Sequence, residues 1–329
     1  MTTNPSGQPT LLPSPLVSVA MITYNHRPYI AQALDSVLAQ RRDFPIEIVI
    51  SDDCSPDGAA SIIDEYETVH PGLFRRLDPP QNLGAVANFD QVWRACSGKY
   101  IALLEGDDWW HSPEKLAIQV AFMERHLECT ISGHLCQICN MSGQASLQYG
   151  HTKQTDQPEL FDAHDLIFGS NSLMTPSVMC RRGVVPGLPG WAMGMGFGDI
   201  PLFLLHAIRG RIGFINQPLS TYRVHPGGVW TSKSPSAHLT CADEGYKAMR
   251  SNFPKEFCRF FDARLGALNQ ALFDVYRREG RYWAARCHLG QAVWRYYRAG
   301  RLTAGLAIRA PIWLLFPGVQ RLRSLFLKR

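Results

Sequence analysis

Short apolar runs alternate, from the start of the readable pattern, with stretches whose apolar positions repeat at helical spacing. Leu16 to Ile22 is a β-rich run that ends at Thr23-Tyr24-Asn25. Beyond it, Ile30, Ala33, Leu34, Val37 and Leu38 follow the i, i+3, i+4, i+7, i+8 rule that puts them on one face of a helix. Ile46 to Ile50 predicts a second strand, ending at Ser51-Asp52-Asp53. Past the turn signal Ser55-Pro56-Asp57-Gly58, a helix is predicted from Ala59 towards Val69, with Ile62, Ile63 and Tyr66 on one side. The series continues with a short strand near Phe74 to Leu77 and a helix carrying Phe89, Val92, Trp93 and Cys96. A strand from Tyr100 to Leu104 and a helix opening at Pro113, with Leu116, Val120 and Met123, follow. Alternation of this length specifies an α/β fold: an open, mostly parallel sheet with helices on both faces.

The pattern weakens from about Cys129 to Pro176, where Gly, Ser, Gln and Asn dominate 140–150, and a variable insertion is expected there. Order returns at Val178-Met179-Cys180. A Gly-rich stretch from Trp191 to Gly198 leads into Asp199, then a helix over Pro201 to Arg209, a strand over Arg211 to Ile215 and a loop from Gln217 to Trp230. Beyond about Lys233 only helices are predicted, among them Phe261 to Arg278 and Tyr282 to Tyr297. The expected organisation is a flexible leader over 1–15, one α/β domain over 16–232 with halves 16–128 and 129–232, and a helical, basic C-terminal region over 233–329.

Composition changes this picture in two places. The chain of 329 residues carries a formal charge of +5, yet no acidic residue follows Glu279, while Arg281, Arg286, Arg295, Arg298, Arg301, Arg309, Arg321, Arg323, Lys328 and Arg329 do. A basic, aromatic-rich tail on a neutral-to-acidic body favours an anionic surface, either lipid headgroups or nucleic acid. Nine cysteines, an odd number scattered through the chain, read as reduced thiols and not as a disulfide framework. Cys136-x-x-Cys139, with His134 nearby, stands alone at metal-ligand spacing, and buried free thiols account for it better than zinc. Met1 to Pro15 lacks the positively charged start of a secretory signal, and the best apolar run, Ala310 to Gln320, is short and broken by Pro311 and Pro317. A cytoplasmic protein is expected, with peripheral association at the inner face of the membrane as a further option.

In an open sheet of this kind ligands bind beyond the carboxyl ends of the strands. Three predicted strand ends carry Tyr24-Asn25, Asp52-Asp53 and Glu105-Gly106-Asp107-Asp108. Acidic groups crowded at a strand end are most easily tolerated when a hard divalent cation or a set of donors neutralises them. A solvated turn with Asp108 capping the next helix is the plainer alternative.

The order and spacing of these residues resemble the inverting family 2 glycosyltransferases, which have the GT-A fold, over about Val17 to Trp230. Ile48 to Ser55 is similar to their base-binding strand, Asn82-Leu83-Gly84 to the sugar-side loop, and Glu105 to Asp108 to the metal motif. Tyr222-Arg223-Val224-His225-Pro226-Gly227-Gly228-Val229-Trp230 is similar to their late loop. The resemblance implies Tyr24 against a nucleobase and Asp53 accepting a ring N–H, with Asn82 near the sugar. It further implies Asp107 on the ribose or the metal, Asp108 ligating Mn²⁺ or Mg²⁺ between two phosphates, and Arg223 and His225 supporting the departing diphosphate. Asp199 is the implied general base; its plainer role is an N-cap of the following helix. Asp52 is expected to hold the turn at Ser55. Trp109 and Trp110 are expected to pack.

The Gln-x-x-Arg-Trp signature of the processive synthases is missing, which implies transfer of a single sugar. The implied partners are a nucleotide-sugar donor, a uridine diphosphate sugar being the commonest choice, and a saccharide or lipid-linked acceptor in surface polysaccharide synthesis. An anionic membrane surface is expected to meet the C-terminal region, where Trp283, Trp294, Tyr296, Tyr297, Trp313 and Phe316 lie among the arginines. A nucleotidyltransferase on a related fold would need a Gly-rich loop after the first strand, and Thr23-Tyr24-Asn25-His26-Arg27 has no glycine. A nucleic-acid-binding role for the tail is the other alternative, although no nucleic acid is expected as a partner.

Overall fold

The computed structural model of the chain describes residues 14–140, 145–149, 160–168, 173–228 and 233–307. The leader up to Pro13, Val229 and Trp230, the run Ala310 to Gln320, Trp313, Phe316 and the last five basic residues lie outside that range. The described chain forms two compact units. One, within Met1–Ala163, Asn171–Pro189 and Gly198–His225, holds the sheet; the other, within His164–Ser170, Gly190–Phe197 and Pro226–Arg329, is helical.

The first unit opens as strand and helix in strict alternation: β1 (Val17–Thr23), α1 (Ile30–Leu38), β2 (Ile46–Asp52), α2 (Ala59–Val69), β3 (Phe74–Leu77), α3 (Ala85–Ala95), β4 (Tyr100–Glu105) and α4 (Lys115–Arg125). β1, β2 and β4 are buried along nearly their whole length, which is why each reads as an unbroken apolar run. Val19, Met21, Ile48, Ile50, Ala102 and Leu104 share one core with Ile30, Leu34 and Val37 of α1 and Ile63 of α2. The chain continues through β5 (Cys129–Cys139), β6 (Ala145–Tyr149), β7 (Leu160–Phe161), α5 (Ala163–Phe168), β8 (Met179–Arg181), α6 (Asp199–Ala207) and β9 (Arg211–Arg223). The sheet order is β3-β2-β1-β4-β8-β5-β9-β7, with β6 paired to β5. β1 runs parallel to β2 and β4, β2 to β3, and β5 to β9, while β8 is antiparallel to both β4 and β5.

Two expectations are corrected here. The stretch after Cys129 begins not as an insertion but as the eleven-residue strand β5, most of it buried. Thr130, Ser132 and His134 sit at buried positions, so the strand lacks both a continuous apolar run and a clean alternation. The strand starting at Arg211 does not stop at Ile215: β9 continues into the predicted loop as far as Arg223, with register shifts on either side of the Leu135–Pro218 pair absorbing Asn216, Gln217 and Leu219. Cys136 and Cys139 are buried free thiols, and neither belongs to a cluster of potential metal ligands among the described residues.

The helical unit contains α7 (Pro235–Asn252), α8 (Cys258–Arg278) and α9 (Tyr282–Arg298). Leu272 and Tyr276 of α8 pack with Ala285 of α9, and Leu239 of α7 joins them. No helix among the described residues is long and apolar enough to cross a membrane.

Candidate active site

Parallel pairing brings three strand ends level. Thr23 pairs with Asp52 and Ile22 with Glu105, and the ladder runs on as Asp53 N–H donates to Thr23 O (2.9 Å) and Gly106 N–H to Ile22 O (2.9 Å). Tyr24-Asn25, Asp52-Asp53 and Glu105 to Asp108 therefore lie side by side on one edge. Asn25 and Cys54, two residues and one residue past that ladder, have φ near +60°, a left-handed conformation that favours Asn and is unusual for Cys. β9 reaches the same edge because Trp109 and Thr221 form an antiparallel bridge, exchanging N–H···O bonds of 3.3 and 2.8 Å.

That bridge delivers Arg223 and His225 to the acidic motif. The Arg223 backbone N–H donates to Asp108 Oδ1 (2.8 Å), its Nε to Asp107 O (2.8 Å) and its Nη2 to Gln32 Oε1 (2.5 Å). Its guanidinium lies between the rings of Trp109 and Tyr29, at 4.4 and 4.6 Å. His225 Nε2 is 2.9 Å from Asp107 Oδ2, and His26 Nε2 is 3.5 Å from the same oxygen.

Asp107 and Asp108 are both buried, and each keeps one oxygen, Oδ1 of Asp107 and Oδ2 of Asp108, with no hydrogen-bond partner. Ligand atoms of Glu105, Asp107 and Asp108 all lie within 4.8 Å of one another, as do those of His26, Asp107 and His225. Orphaned buried carboxylate oxygens are costly unless something cationic meets them, and an oxygen-rich group of this kind suits a hard divalent ion. These residues fit the cation that the sequence implies.

The electrostatics agree. Burial, with Asp107 and Asp199 nearby, pushes the Glu105 carboxyl up to about 8. Burial and the two neighbouring carboxylates push Asp108 well above the usual carboxylate range. Burial also acts to raise Asp107, but the His225 hydrogen bond and the charges of His26 and His225 outweigh it, and its carboxyl is held below the ordinary value. Burial keeps His26 below the usual imidazole range.

The other expected residues fall as follows. Tyr24 is 45% exposed at the end of β1, a free ring face beside the site. The Asp53 carboxylate is engaged by the loop, with Oδ1 accepting from Leu83 N (2.7 Å) and Oδ2 from Gly84 N (2.9 Å). Asn82 donates to Asp53 O (2.9 Å) and accepts from Gly84 N (3.1 Å), so it too is tied into that turn. Asp52 holds Ser55 through the backbone N–H and the hydroxyl. Trp110 packs, its Nε1 donating to Pro176 O (2.9 Å). Asp199 is the first residue of α6 and not its N-cap, which is Gly198; its carboxylate accepts from Ile200 N (2.8 Å), and burial raises its pKa. Asp199 is close enough for its charge to bear on Glu105 and Tyr222.

His26, Tyr29 and Gln32 join the site without being singled out by sequence. Glu105 had a signal, as the first acid of the cluster. The other three lie around the start of α1: His26 meets Asp107 directly, and only the fold of β9 back onto that turn shows what Tyr29 and Gln32 do.

Residues 18–176 match the model of the family described as Glycosyl transferase family 2. An uncharacterized protein of Mycobacterium tuberculosis is 36% identical over 221 residues, which cover 66% of this chain and 61% of that protein. The chain thus spans about three fifths of the length of such relatives. The putative teichuronic acid biosynthesis glycosyltransferase TuaG of Bacillus subtilis is 36% identical over 121 residues, 36% of this chain and 47% of that protein. Among solved structures, residues 1–349 of TarS from S. aureus, in complex with UDP-GlcNAc, superpose with a TM-score of 0.64 at 17% identity, covering 90% of this chain and 86% of that one. The mannosyltransferase PcManGT from Pyrobaculum calidifontis, in complex with GDP-Man and Mn²⁺, gives 0.55 at 15% identity, covering 95% and 92%. These structural likenesses show a shared fold, the GT-A type, and the chain carries a glycosyl transferase family 2 domain.

Proposed function

Taking a family 2 glycosyltransferase domain as the premise, we propose that this chain moves one sugar from a nucleotide-diphosphate donor to a saccharide or lipid-linked acceptor, with inversion, in surface polysaccharide synthesis. The observation that carries the reading is the pair of buried, partnerless carboxylate oxygens of Asp107 and Asp108 on the edge shared by β1, β2 and β4. A divalent ion, Mn²⁺ or Mg²⁺, would be held by Asp108 with Asp107 and would supply positive charge to the departing diphosphate. His225 and His26 keep Asp107 ionised and aligned. Arg223, braced by Gln32 and the two rings, positions Asp108 through its backbone and adds a fixed cation at the same place.

Tyr24 offers its exposed ring to a nucleobase. Asp53 has a spare lone pair on each oxygen for a ring N–H, and its main work is to hold the 82–84 loop where a donor would lie. Asp199 is the base that takes the acceptor proton, and a carboxylate whose pKa is raised by burial is the stronger acceptor for that purpose. Solved relatives of the fold are complexed with UDP-GlcNAc in one case and with GDP-Man and Mn²⁺ in another, which supports a nucleotide sugar as donor and leaves the base open. The basic helical region supports association with an anionic membrane surface, where a lipid-linked acceptor would be found.

The test is turnover of a panel of uridine, thymidine and guanosine diphosphate sugars with Mn²⁺, read as nucleoside diphosphate release. Asp108→Ala is expected to abolish turnover, and Asp199→Asn to cost on the order of a hundredfold or more while leaving donor binding nearly intact. Unchanged turnover in Asp108→Ala, or release of pyrophosphate, would overturn the reading.

A further inference from the structure

The helical unit carries a face that transfer chemistry does not use. On α9 the buried residues are Ala285, Leu289 and Ala292. At about 100° per residue, Trp283, Trp294, Tyr297 and Arg298 fall on the opposite side, with half-buried Arg286 on the flank. Trp283 is 75% exposed, Trp294 56% and Tyr297 66%, and the Arg286 and Arg298 guanidiniums lie over the Trp283 and Trp294 rings at 5.9 and 5.8 Å. Large rings with a polar edge, interleaved with arginine, are the composition that settles in a headgroup layer.

A cavity of about 280 Å³ opens at the C-terminal end of that helix, lined by Ala299, Gly300 and Arg301 together with Phe168, Arg259 and Phe260. The Arg301 guanidinium sits 4.1 Å from the Phe168 ring centre and that of Arg259 4.5 Å from Phe260, and the two rings meet edge to face. Gly300, at φ +66°, makes the left-handed turn that carries the chain from α9 to Arg301. Neither guanidinium has an ion pair or a hydrogen bond with a described residue. Nearby arginines in the same unit are satisfied: Arg250, Arg295 and Arg298 all converge on the buried carboxylate of Asp262. A ring contact occupies the flat face of a guanidinium and leaves its in-plane N–H fork free, which is the geometry that grips phosphate oxygens in pairs.

We propose that this cavity holds the phosphate of an anionic lipid headgroup, with the aromatic face of α9 lying in the headgroup layer beside it. The inference rests on the membrane-surface reading above and names the site that performs it. The lipid source follows from the neighbouring aromatic stripe, because a site for a soluble phosphate has no use for three exposed rings on the adjoining helix.

The experiment is co-sedimentation of the full chain with phosphatidylcholine vesicles, with and without phosphatidylglycerol, alongside a titration with inorganic phosphate. Binding is expected only to the anionic vesicles. Arg259→Gln with Arg301→Gln should weaken it roughly tenfold or more, and Trp283→Ser with Trp294→Ser should weaken it as well. Arg259→Lys with Arg301→Lys should recover only part, since an ammonium lacks the fork. All four positions lie at or near the surface, and an unchanged melting temperature certifies each variant. No binding by the parent chain would overturn both the membrane reading and this site. Binding that survives the glutamine pair, or is fully restored by the lysine pair, would overturn the site alone. Saturable binding of inorganic phosphate that is lost in the glutamine pair, with vesicle binding unchanged, would assign the cavity to a soluble ligand and overturn the lipid assignment.

Discussion

Asp53, Asp107 and Asp108 are all buried acids at strand ends, and they differ in what meets their oxygens. Both oxygens of Asp53 accept backbone N–H groups, so its charge is satisfied by the protein itself. Asp107 and Asp108 each leave one oxygen bare, and Glu105 adds a third carboxyl beside them. Without a cation the cluster relieves its repulsion by keeping protons. Glu105, raised from 4.5 to about 8, binds a proton in the folded state that it has lost in the unfolded chain across that window, and Asp108 and Asp199 are shifted the same way. Their contribution to stability is thus present below the unfolded values and lost as pH rises through the folded ones. Asp107 is shifted downward and acts only in more acid solution, where its protonation would cost stability. In EDTA, buried His134 and His206, held below the usual imidazole range, tilt stability the other way in parent and variant alike, so the effect is read as a difference: between about pH 5 and about pH 8 the melting temperature of the parent chain is expected to fall by several degrees relative to that of Glu105→Gln. Mn²⁺ takes the ionised cluster and should flatten that fall. Parallel pH dependences of the parent and Glu105→Gln in EDTA would refute this account of the acidic group.

The elements that position these residues were legible to different degrees, and burial explains the difference. β1, β2 and β4 are covered on both faces, so apolar side chains fill nearly every position and the runs stand out. β5 is as deeply buried but holds Thr130, Ser132, Gly133 and His134, and its polar groups are bonded from other parts of the chain: Thr130 Oγ1 donates to His206 O (2.8 Å), and Gln119 Nε2 donates to Ser132 Oγ (3.3 Å). Such partners are distant in sequence, and periodicity cannot announce them. β9 hides for a related reason, since Gln217 and Pro218 signal a loop although the strand carries them as an irregularity. Gly106 is the element-scale counterpart at the site. A Cβ there would lie 2.6 Å from Thr23 Oγ1 and 2.8 Å from Thr23 Cβ, so only glycine lets the turn after β4 lie against the end of β1. Gly106→Ala is expected to destabilise the protein by about 1–3 kcal/mol and to weaken Mn²⁺ binding, because the turn that displaces carries Asp107 and Asp108. Gly194→Ala, where a Cβ would meet nothing within 4 Å, serves as the control in thermal unfolding and metal titration. Equal effects of the two substitutions would show that close contact at Gly106 does not set the acidic turn.

At the scale of the molecule, the sequence placed the polar residues of three strand ends on one edge because parallel order alone does so. It could not place Tyr29 and Gln32, whose relation to the site depends on β9 returning to that edge from more than a hundred residues away in the chain. The site is therefore a property of the folded sheet, and its ligand should report on folding as a whole. A nucleoside diphosphate that binds only the folded state, at about 100 times its dissociation constant, adds about 2.7 kcal/mol. For a unit of the sheet's size that is a rise in melting temperature of roughly 5–10 °C. If Asp107 and Asp108 join nucleotide and protein through a divalent ion, one base among uridine, thymidine and guanosine diphosphates should give that rise with Mn²⁺ and little of it with EDTA. Asp108→Asn should erase the difference between the two conditions without unfolding the sheet, since the Arg223 N–H can still meet the remaining amide oxygen. A nucleotide that stabilises the parent chain equally in EDTA would mean that its phosphates are held by protein groups alone, and the reason for keeping two buried carboxylate oxygens without partners would have to be sought elsewhere.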